Sequence, residues 1–255
     1  MNIQTSAIIP AHNEGKTVTG VISAVINDVD EVIVVDSCSD DDTALRAEAA
    51  GACVVRVDEL GKHYALRAGI MAARGQELVF LDADLVNPCD GIAKYLIAGL
   101  RQKPQVTISK GFYARSLNGK PNEGGRVTEL CAKPLLALMF PKLSFVLQPL
   151  AGEFAVRLKD IINMPFAPGF AVDLGILLHC AAKGEVAQVD LGTKIHKHQP
   201  LFALSKAAVE VAATIFRAAG REFTESTIEQ YIDNSVSRTH INLEPLPPLE
   251  YDFHK

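Results

Sequence analysis

The first part of the chain alternates short apolar runs with segments whose apolar residues recur at helical spacing. The runs that predict strands are Thr5–Pro10, Glu31–Asp36, Ala52–Val57 and Glu77–Asp82. The helical segments are the one with Val18, Val21, Ile22, Val25 and Ile26, then Asp42–Ala50 and Lys62–Arg74, which Gly51 and Gly75 end. Repeated strand–helix units with continuous apolar strands predict an α/β fold of Rossmann-like type. Its mostly parallel sheet is flanked by helices on both faces.

After Pro104 the alternation is less regular. The predicted elements are a strand at Val106–Lys110 and helices at Val127–Met139, Val172–Ala182 and Ser205–Ala219, with Pro134 marking a kink or break in the first helix. The Gly/Asn/Pro-rich segment 115–125 predicts a mobile loop, and 163–170 is rich in turn residues. The proline-rich tail 243–251 predicts a peripheral arm without regular structure.

Composition describes an ordinary soluble protein. The 255 residues suffice for one substantial core, and 48% of them are hydrophobic and 22% charged. A formal net charge of −5 excludes a sequence-wide basic field for nucleic acid or an anionic membrane, although local basic clusters could hold a small phosphorylated ligand. The N-terminus does not read as a signal peptide, and we expect no membrane span.

The five cysteines are scattered and include no CxxC pair. This pattern is typical of reduced thiols rather than of a disulfide framework or a thiolate zinc site. We therefore expect a cytoplasmic protein.

Polar residues follow three of the predicted strands. They are Pro10-Ala11-His12-Asn13-Glu14, Asp36-Ser37-Cys38-Ser39-Asp40 and Asp82-Ala83-Asp84. Parallel α/β sheets bind ligands beyond the carboxyl ends of their strands, so these clusters predict one site on one rim of the sheet.

Asp82 and Asp84 stand at i and i+2 just past a buried strand. In an extended backbone the two carboxylates point the same way, and hard oxygen ligands suit Mg²⁺ or Mn²⁺ beside a diphosphate. The alternative is a solvated loop. Lys62, at a helix start after Gly61, could meet the same diphosphate or be an ordinary solvated lysine.

The acidic run from Asp36 to Asp42 has two possible roles. Asp36 and Ser37 could hydrogen-bond a base and a ribose, while Asp41 or Asp42 could cap the next helix. Both roles are compatible within one segment.

Three further clusters remain open at this level. Gly124–Thr128 joins a glycine-rich loop to a helix start and could cradle a phosphate or carboxylate, or be a flexible loop with a cap. His196 and His198 could ligate a metal, or form a cationic patch with Lys194 and Lys197. Glu153 and Asp173 lie among apolar residues, where an acid is usually paired or functional.

With these residues in view, the chain resembles the GT-A-fold glycosyltransferases and, more narrowly, the glucosyl-3-phosphoglycerate synthases. The shared GT-A motifs are IIPAHNE (Ile8–Glu14), VVDSCSDDDT (Val34–Thr43), GK (Gly61–Lys62) and LDADLVNP (Leu81–Pro88). The narrower motifs are GGRVTEL (Gly124–Leu130), LQPLAGEFA (Leu147–Ala155), PFAPGFAVDLG (Pro165–Gly175) and LGTKIHKHQP (Leu191–Pro200). They cover most of residues 5–215 in the family's order.

The resemblance implies a role for each matching position. The nucleotide-sugar would be bound by Pro10, Ala11, Glu14, Asp36, Ser37, Lys62, Asp82 and Ala83. The acceptor phosphate would be held by Gly125, Arg126 and Thr128, with Lys194 and His198 beside it. Asp84 and His196 would ligate Mg²⁺ or Mn²⁺, and Asp84, Asp173 and Lys62 would carry the catalysis.

The implied activity is retaining transfer of a hexose, glucose in the family, from a UDP-sugar to 3-phosphoglycerate or a similar small anionic acceptor. Such an enzyme is a homodimer and serves compatible-solute biosynthesis. The implied organisation is a nucleotide-sugar-binding half (1–110), an acceptor-binding and metal-completing half of the same domain (111–220) and a C-terminal arm (221–255).

The chain departs from the family pattern at three positions. Asp173 replaces glutamate, Lys194 replaces arginine and His198 replaces asparagine, which shortens one reach and turns a bidentate fork into a point charge. Two other activities stay open: sugar transfer to a polyprenyl phosphate, which the lack of a hydrophobic anchor disfavours, and nucleotide-sugar binding without catalysis.

Overall fold

The computed structural model describes residues 3–117, 120–121, 125–195, 204–221 and 245–248. The strands are β1 Thr5–Ala11, β2 Glu31–Ser37, β3 Cys53–Val57, β4 Glu77–Phe80, β5 Val106–Leu117, β6 Lys120–Pro121, β7 Phe154–Arg157 and β8 Glu185–Ile195. The α-helices are α1 Val18–Ser23, α2 Thr43–Ala49, α3 Lys62–Ala72, α4 Ile92–Arg101, α5 Lys133–Met139, α6 Leu158–Ile161, α7 Val172–Ala181 and α8 Ser205–Ala218. A π-helical turn, Thr128–Ala132, precedes α5, and short 3₁₀ turns lie at Pro141–Leu143 and Gly169–Ala171.

These strands form one mixed sheet in the order β3-β2-β1-β4-β7-β5-β6, with β8 also paired to β5. Strands β3, β2, β1 and β4 are parallel, as the apolar runs predict, while β7 is antiparallel to both of its neighbours. The predicted α/β fold with a mostly parallel sheet is confirmed.

Each face of the sheet carries its own hydrophobic core. Ile8 packs with α3 and α7 residues on one face, and the next residue, Ile9, packs with α1 and α4 residues on the other. The alternation follows from the side-chain period of a strand, and both residues are fully buried. Helices on both faces leave the carboxyl-end rim of the sheet as the place for a site.

Several predicted boundaries are wrong. Residues 115–117, predicted as loop, belong to β5, which pairs with β8 as far as Ser116. Residues 120–121, also predicted as loop, form β6, which pairs with the end of β5. Helix α4 and strand β7 were not predicted; all but the last residue of β7 are buried, so no polar alternation marks it. The break predicted at Pro134 is the change from π-helical turn to α5, whose first turn holds that proline.

The proposed division at residue 110 falls inside β5, so the sheet continues across it. From the predicted arm, Leu246 and Phe166 exchange two backbone hydrogen bonds of 3.0 Å in an isolated bridge. Within the described ranges, every helix is too short or too polar to cross a membrane.

Candidate active site

The loops that follow β1 and β2 are fastened to each other at the rim. Asn13 and Cys38 both adopt left-handed backbone conformations with φ of 55°, which turns the chain sharply just past each strand. The Asn13 backbone N–H donates to Ser39 Oγ at 2.9 Å, and the Asp40 N–H donates to Asn13 Oδ1 at 2.8 Å. The two predicted rim clusters therefore form one wall.

Asp41, in the acidic run after β2, stabilises the start of α2, although Asp42 holds the N-cap position and makes no side-chain capping bond. Asp41 accepts from the Thr43 N–H at 2.9 Å at the start of α2, and from the Gly15 N–H at 3.1 Å. Ser37 is buried and donates to the Glu59 carbonyl at 2.7 Å, which ties this wall to the loop before α3.

An open cavity of about 930 Å³ lies at this rim. The predicted site residues that line it are Pro10, Ala11, Glu14, Ser37, Lys62, Asp82, Ala83, Asp84, Gly125, Arg126, Thr128, Asp173 and Lys194. Asp36 is buried behind this wall and is not among the lining residues. His196 and His198 lie outside the described residues. The fold thus brings clusters from distant parts of the sequence to one cavity.

Lys62 is the central cation of the cavity. Its Nζ lies 2.6 Å from Asp82 Oδ1 and 2.6 Å from Asp173 Oδ2. Burial alone would lower the pKa of this lysine, but Asp173 and Asp82 raise it well above its usual value, so Lys62 is a fixed positive charge. The solvated-lysine interpretation is wrong. Burial would likewise raise the pKa of Asp82, but Lys62 and Lys194 hold it at about 2.

Lys194 is a second cation, and it lies between several acids. Its Nζ is 3.0 Å from Glu153 Oε1, 3.8 Å from Asp82 Oδ2 and 4.0 Å from Asp84 Oδ1. Glu153 is fully buried, and burial raises the pKa of its carboxyl group. Glu153 is therefore paired, which is one of the two roles that its apolar surroundings allow.

Asp84 fits the role of a ligand for a divalent cation. Its side chain is 61% exposed, and its nearest described ammonium partner is the Lys194 group at 4.0 Å. Desolvation and the neighbouring Asp82 carboxylate raise the pKa of Asp84. The nearby lysines, Lys194 and Lys62, therefore do not fully compensate its negative charge. Among the described residues, no three His, Cys, Asp or Glu side chains cluster closely enough to hold a metal by themselves. Further ligands would come from outside those residues, where His196 lies, or from a substrate.

The glycine-rich turn forms another wall. Gly125 adopts a φ of 65°, and its carbonyl accepts from the Glu129 N–H at 2.9 Å as the helical segment begins. Thr128, in the π-helical turn, is buried and lines the cavity, as do Ala207 and Val211 of α8. The helix start predicted for this segment is confirmed.

Several residues in or near the cavity were not predicted from the sequence. Tyr113 and Phe170 line the cavity, and the buried Tyr113 hydroxyl has no hydrogen-bond partner within the part of the chain that the structure describes. Lys110 lies fully buried close beneath the acids. Lys110 ends the predicted strand Val106–Lys110, but only the tertiary structure shows which acids lie near it.

Fold and cavity together define a nucleotide-sugar-dependent glycosyltransferase with the GT-A fold. A parallel sheet ends in a rim that carries an Asp-Ala-Asp triplet, and a glycine-rich turn faces the same cavity. The model of the family described as glycosyl transferase family 2 matches residues 6–149, and the chain belongs to this family.

Curated relatives and solved structures are more specific. The chain is 39% identical to the glucosyl-3-phosphoglycerate synthase of Mycolicibacterium paratuberculosis, over 96% of this chain and 83% of the relative. It is 35% identical to the enzyme of the same name from Mycobacterium tuberculosis, over 96% and 85% of the two chains. A crystal structure of the latter with Mn²⁺, UDP-glucose and phosphoglyceric acid superposes with a TM-score of 0.80 at 37% identity, covering 87% of this chain and 82% of that one.

Proposed function

We propose that this protein transfers glucose from UDP-glucose to 3-phosphoglycerate, with retention of the anomeric configuration and with Mg²⁺ or Mn²⁺ as cofactor. The observation that carries the proposal is that the Asp82–Asp84 triplet, Lys62 and the Gly125–Thr128 turn line one cavity. Relatives similar over most of the chain bear the name of this activity, and one solved relative holds the donor, the acceptor and Mn²⁺ together.

The donor would lie along the wall made by the β1 and β2 loops. Pro10, Glu14 and Ser37 would contact the nucleotide, with Asp36 supporting this wall from behind. The diphosphate would then extend towards Asp82 and Lys62, the cation at the start of α3. Lys62 is already oriented by two carboxylates, so no side-chain reorganisation is needed when charge develops on the leaving group.

The divalent cation held by Asp84 and His196 would neutralise charge on the diphosphate leaving group. Asp173, whose second carboxylate oxygen has no hydrogen-bond partner among the described residues, would accept a hydrogen bond from a hydroxyl of the sugar or acceptor. We assign no covalent nucleophile.

The acceptor would bind at the turn opposite. Arg126 and Thr128, with the Gly125 backbone, offer a guanidinium, a hydroxyl and helix-start N–H groups to a phosphate. Lys194 and His198 would complete this side. Fixing the phosphate there would hold the acceptor hydroxyl beside the anomeric carbon, which is a contribution of proximity.

The direct test is UDP release from UDP-glucose in the presence of Mg²⁺ and 3-phosphoglycerate. A matrix of nucleotide-sugars against phosphorylated and free glycerate identifies both substrates, and NMR of the product gives its anomeric configuration. Turnover only with a polyprenyl phosphate, or binding of UDP-glucose without turnover, would establish one of the two alternative functions instead.

The metal assignment has its own test. Asp84→Ala and a chelator should each abolish turnover, while Glu48→Ala should retain it, because Glu48 is an exposed acid paired with Arg56 on the outside of α2. Activity that survives in chelator would overturn the metal-dependent scheme.

We further propose a cytoplasmic homodimer. The segment from the π-helical turn to the loop after α5 exposes four large apolar side chains, Leu130, Leu138, Phe145 and Leu147, of which Leu130 is 76% exposed. Such a concentration is typical of an interaction surface. Light scattering should give twice the chain mass, and a Leu130→Glu/Leu138→Glu variant should be monomeric. Leu45→Glu, an exposed leucine on α2, is the matched control.

A further inference from the structure

Lys110 is a fully buried lysine for which neither the donor side nor the acceptor side of the proposed reaction has a use. It lies in β5, where it pairs with Phe154 of β7 and Gln188 of β8, and its side chain is only 1% exposed. Its Nζ lies 4.7 Å from the centre of the Phe154 ring. Burying an ammonium group is costly unless it is compensated, so the residues around it are informative.

The Lys110 ammonium group donates a hydrogen bond to the carbonyl of Ala151. Ala151 begins the segment Ala151–Glu153, which leads into β7. At Gly152 an added Cβ would overlap the Asp82 carboxylate, so this segment lies directly against Asp82. Glu153 in turn is the acid that holds Lys194. Lys110 therefore holds the Ala151–Glu153 segment by a hydrogen bond, and this segment contacts Asp82 and Lys194 of the cavity.

The charge of Lys110 also acts on residues that line the cavity. Four charged side chains change the pKa of Lys110: Asp173 of α7, Lys62 of α3, Glu153 before β7 and Asp82 after β4. Lys110 in turn lowers the pKa of Cys180 of α7. Burial lowers the pKa of Lys110 to about 8, although Asp173 partly opposes this. Lys110 in turn lowers the pKa of Asp173, which burial raises.

We propose that Lys110 is a positioning residue for glucosyl transfer: its ammonium group holds the Ala151–Glu153 segment against Asp82 and helps to keep Asp173 an anion. Among the described lysines that act on Asp82 and Asp173, loss of this charge would leave Lys62 and, for Asp82, also Lys194. The cluster would then be more negative where an anionic diphosphate must bind and leave. This inference rests on the proposed function, because its first readout is the transfer rate.

The first experiment is the pH profile of kcat/KM with UDP-glucose, 3-phosphoglycerate and Mg²⁺. Wild-type activity should fall on the alkaline side with a midpoint near the Lys110 pKa of about 8. Lys110→Met should lower kcat/KM about tenfold at neutral pH and should lack this alkaline limb. Lys110→Gln, which keeps a donor but no charge, should lack it as well. Lys103→Met, at an exposed lysine just before β5, should keep the wild-type profile.

A purely structural lysine would lower activity by the same factor at every pH. An alkaline limb that persists unmoved in Lys110→Met or Lys110→Gln therefore overturns the proposal, and so does a flat wild-type profile. If wild type shows no transfer at all, it is the proposed function that fails, and the second measurement, which needs no substrate, decides the charge state of Lys110.

That second measurement is the melting temperature against pH. The pKa of Lys110 is lower in the folded protein than in the unfolded chain, so between pH of about 8 and about 10.5 the unfolded state binds the extra proton. Stability from this group is therefore gained as pH rises through that window. The wild-type melting temperature should rise relative to that of Lys110→Met or Lys110→Gln across it. A difference that does not change with pH would contradict an ionised, buried Lys110, and if neither variant folds, the wild-type activity profile alone decides.

Discussion

Lys62 and Asp173 are separated by 111 positions in the sequence, yet Lys62 Nζ lies 2.6 Å from Asp173 Oδ2. Lys62 is the first residue of α3, and Asp173 is in the first turn of α7. A carboxylate is favoured at a helix start, but a lysine is not, so the position of Lys62 depends on its acidic partners. This ion pair joins the half predicted to bind the nucleotide-sugar, residues 1–110, to the part of the sequence that follows it.

Replacing Lys62 tests that ion pair. Lys62→Met leaves Asp82 and the buried Asp173 without their shared cation, and both are expected to take up protons or shift. We expect kcat/KM to fall at least about a hundredfold, because in the proposed function the same ammonium group would stabilise the leaving diphosphate. Steady-state kinetics with UDP-glucose measure the loss, and calorimetry with UDP measures the accompanying loss of nucleotide affinity.

The matched control is Lys159→Met, at an exposed lysine in α6. It should leave kcat/KM within about twofold of wild type. Wild-type kinetics in Lys62→Met would show that the cation seen between two acids has no part in transfer.

Local sequence patterns could predict the parallel half of the sheet because each of its strands is a continuous apolar run. Strand β7 was missed although residues 154–156 are also apolar, because this run is only three residues long and pairing with β4 and β5 is what identifies it. Helix α4 was also missed, although its buried residues recur at helical spacing.

Part of the candidate site could likewise be predicted from the sequence, and part could not. Acids at strand ends are visible in the sequence because the carboxyl-end rule applies to every parallel strand. The partners of Glu153 and Lys110 are not visible, since they depend on β5, β7 and β8 lying side by side. The sequence could state that a buried acid needs a partner, and only the fold could supply Lys194.

There is no room for a side chain at position 152, where the residue is glycine. A Cβ at this position would overlap the Asp82 carboxylate, which already bonds to Lys62. Gly152→Ala should therefore displace Asp82 and lower kcat/KM about tenfold or more, with a loss of unfolding free energy of about 1–3 kcal/mol. Kinetics together with urea unfolding measure both effects.

Gly20→Ala is the matched control, because a Cβ there meets nothing within 4 Å and the residue lies in helix α1. It should keep full activity and gain about 0.5–1 kcal/mol of stability. If Gly152→Ala were equally harmless, Asp82 would be free to move without consequence for transfer.

The carboxylate of Glu31, at the start of β2, is expected to contribute less to the stability of the fold in acid. Burial would raise the pKa of Glu31, but bonds from Ser6 and Arg74 outweigh it and lower the pKa below its usual value. The stability this carboxylate contributes is therefore present above its unfolded pKa and is lost as pH falls through the folded value. Glu31→Gln should cost about 1–2 kcal/mol at neutral pH, and the difference from wild type should shrink in acid.

Melting temperatures of both proteins between about pH 3 and pH 7 test this, because the difference removes the contributions of other acids. Glu48→Gln, in an exposed pair with Arg56, should cost less than about 0.5 kcal/mol at any pH. A Glu31→Gln deficit that persists undiminished in acid would show that the charge of Glu31 is not what stabilises the strand.

The segment Pro168–Phe170 is held between two helices, and this attachment gives the last prediction. The Phe170 N–H donates to the buried Glu210 of α8 at 2.9 Å, and the Gly169 N–H donates to His63 Nδ1 of α3 at 3.2 Å. Burial lowers the pKa of His63, which keeps Nδ1 available as an acceptor. Phe170 lines the cavity, so α8 and α3 together set its position.

Glu210→Leu would leave the Phe170 N–H without its acceptor and release this cavity wall. We expect a loss of about 1–3 kcal/mol in unfolding free energy and a rise in KM of about tenfold for the substrate that contacts Phe170. Glu210→Gln keeps a carbonyl acceptor and should stay near wild type in both respects. Saturation kinetics for donor and acceptor separately would show which substrate Phe170 contacts. Unchanged KM values in a folded Glu210→Leu would show that the wall does not depend on α8.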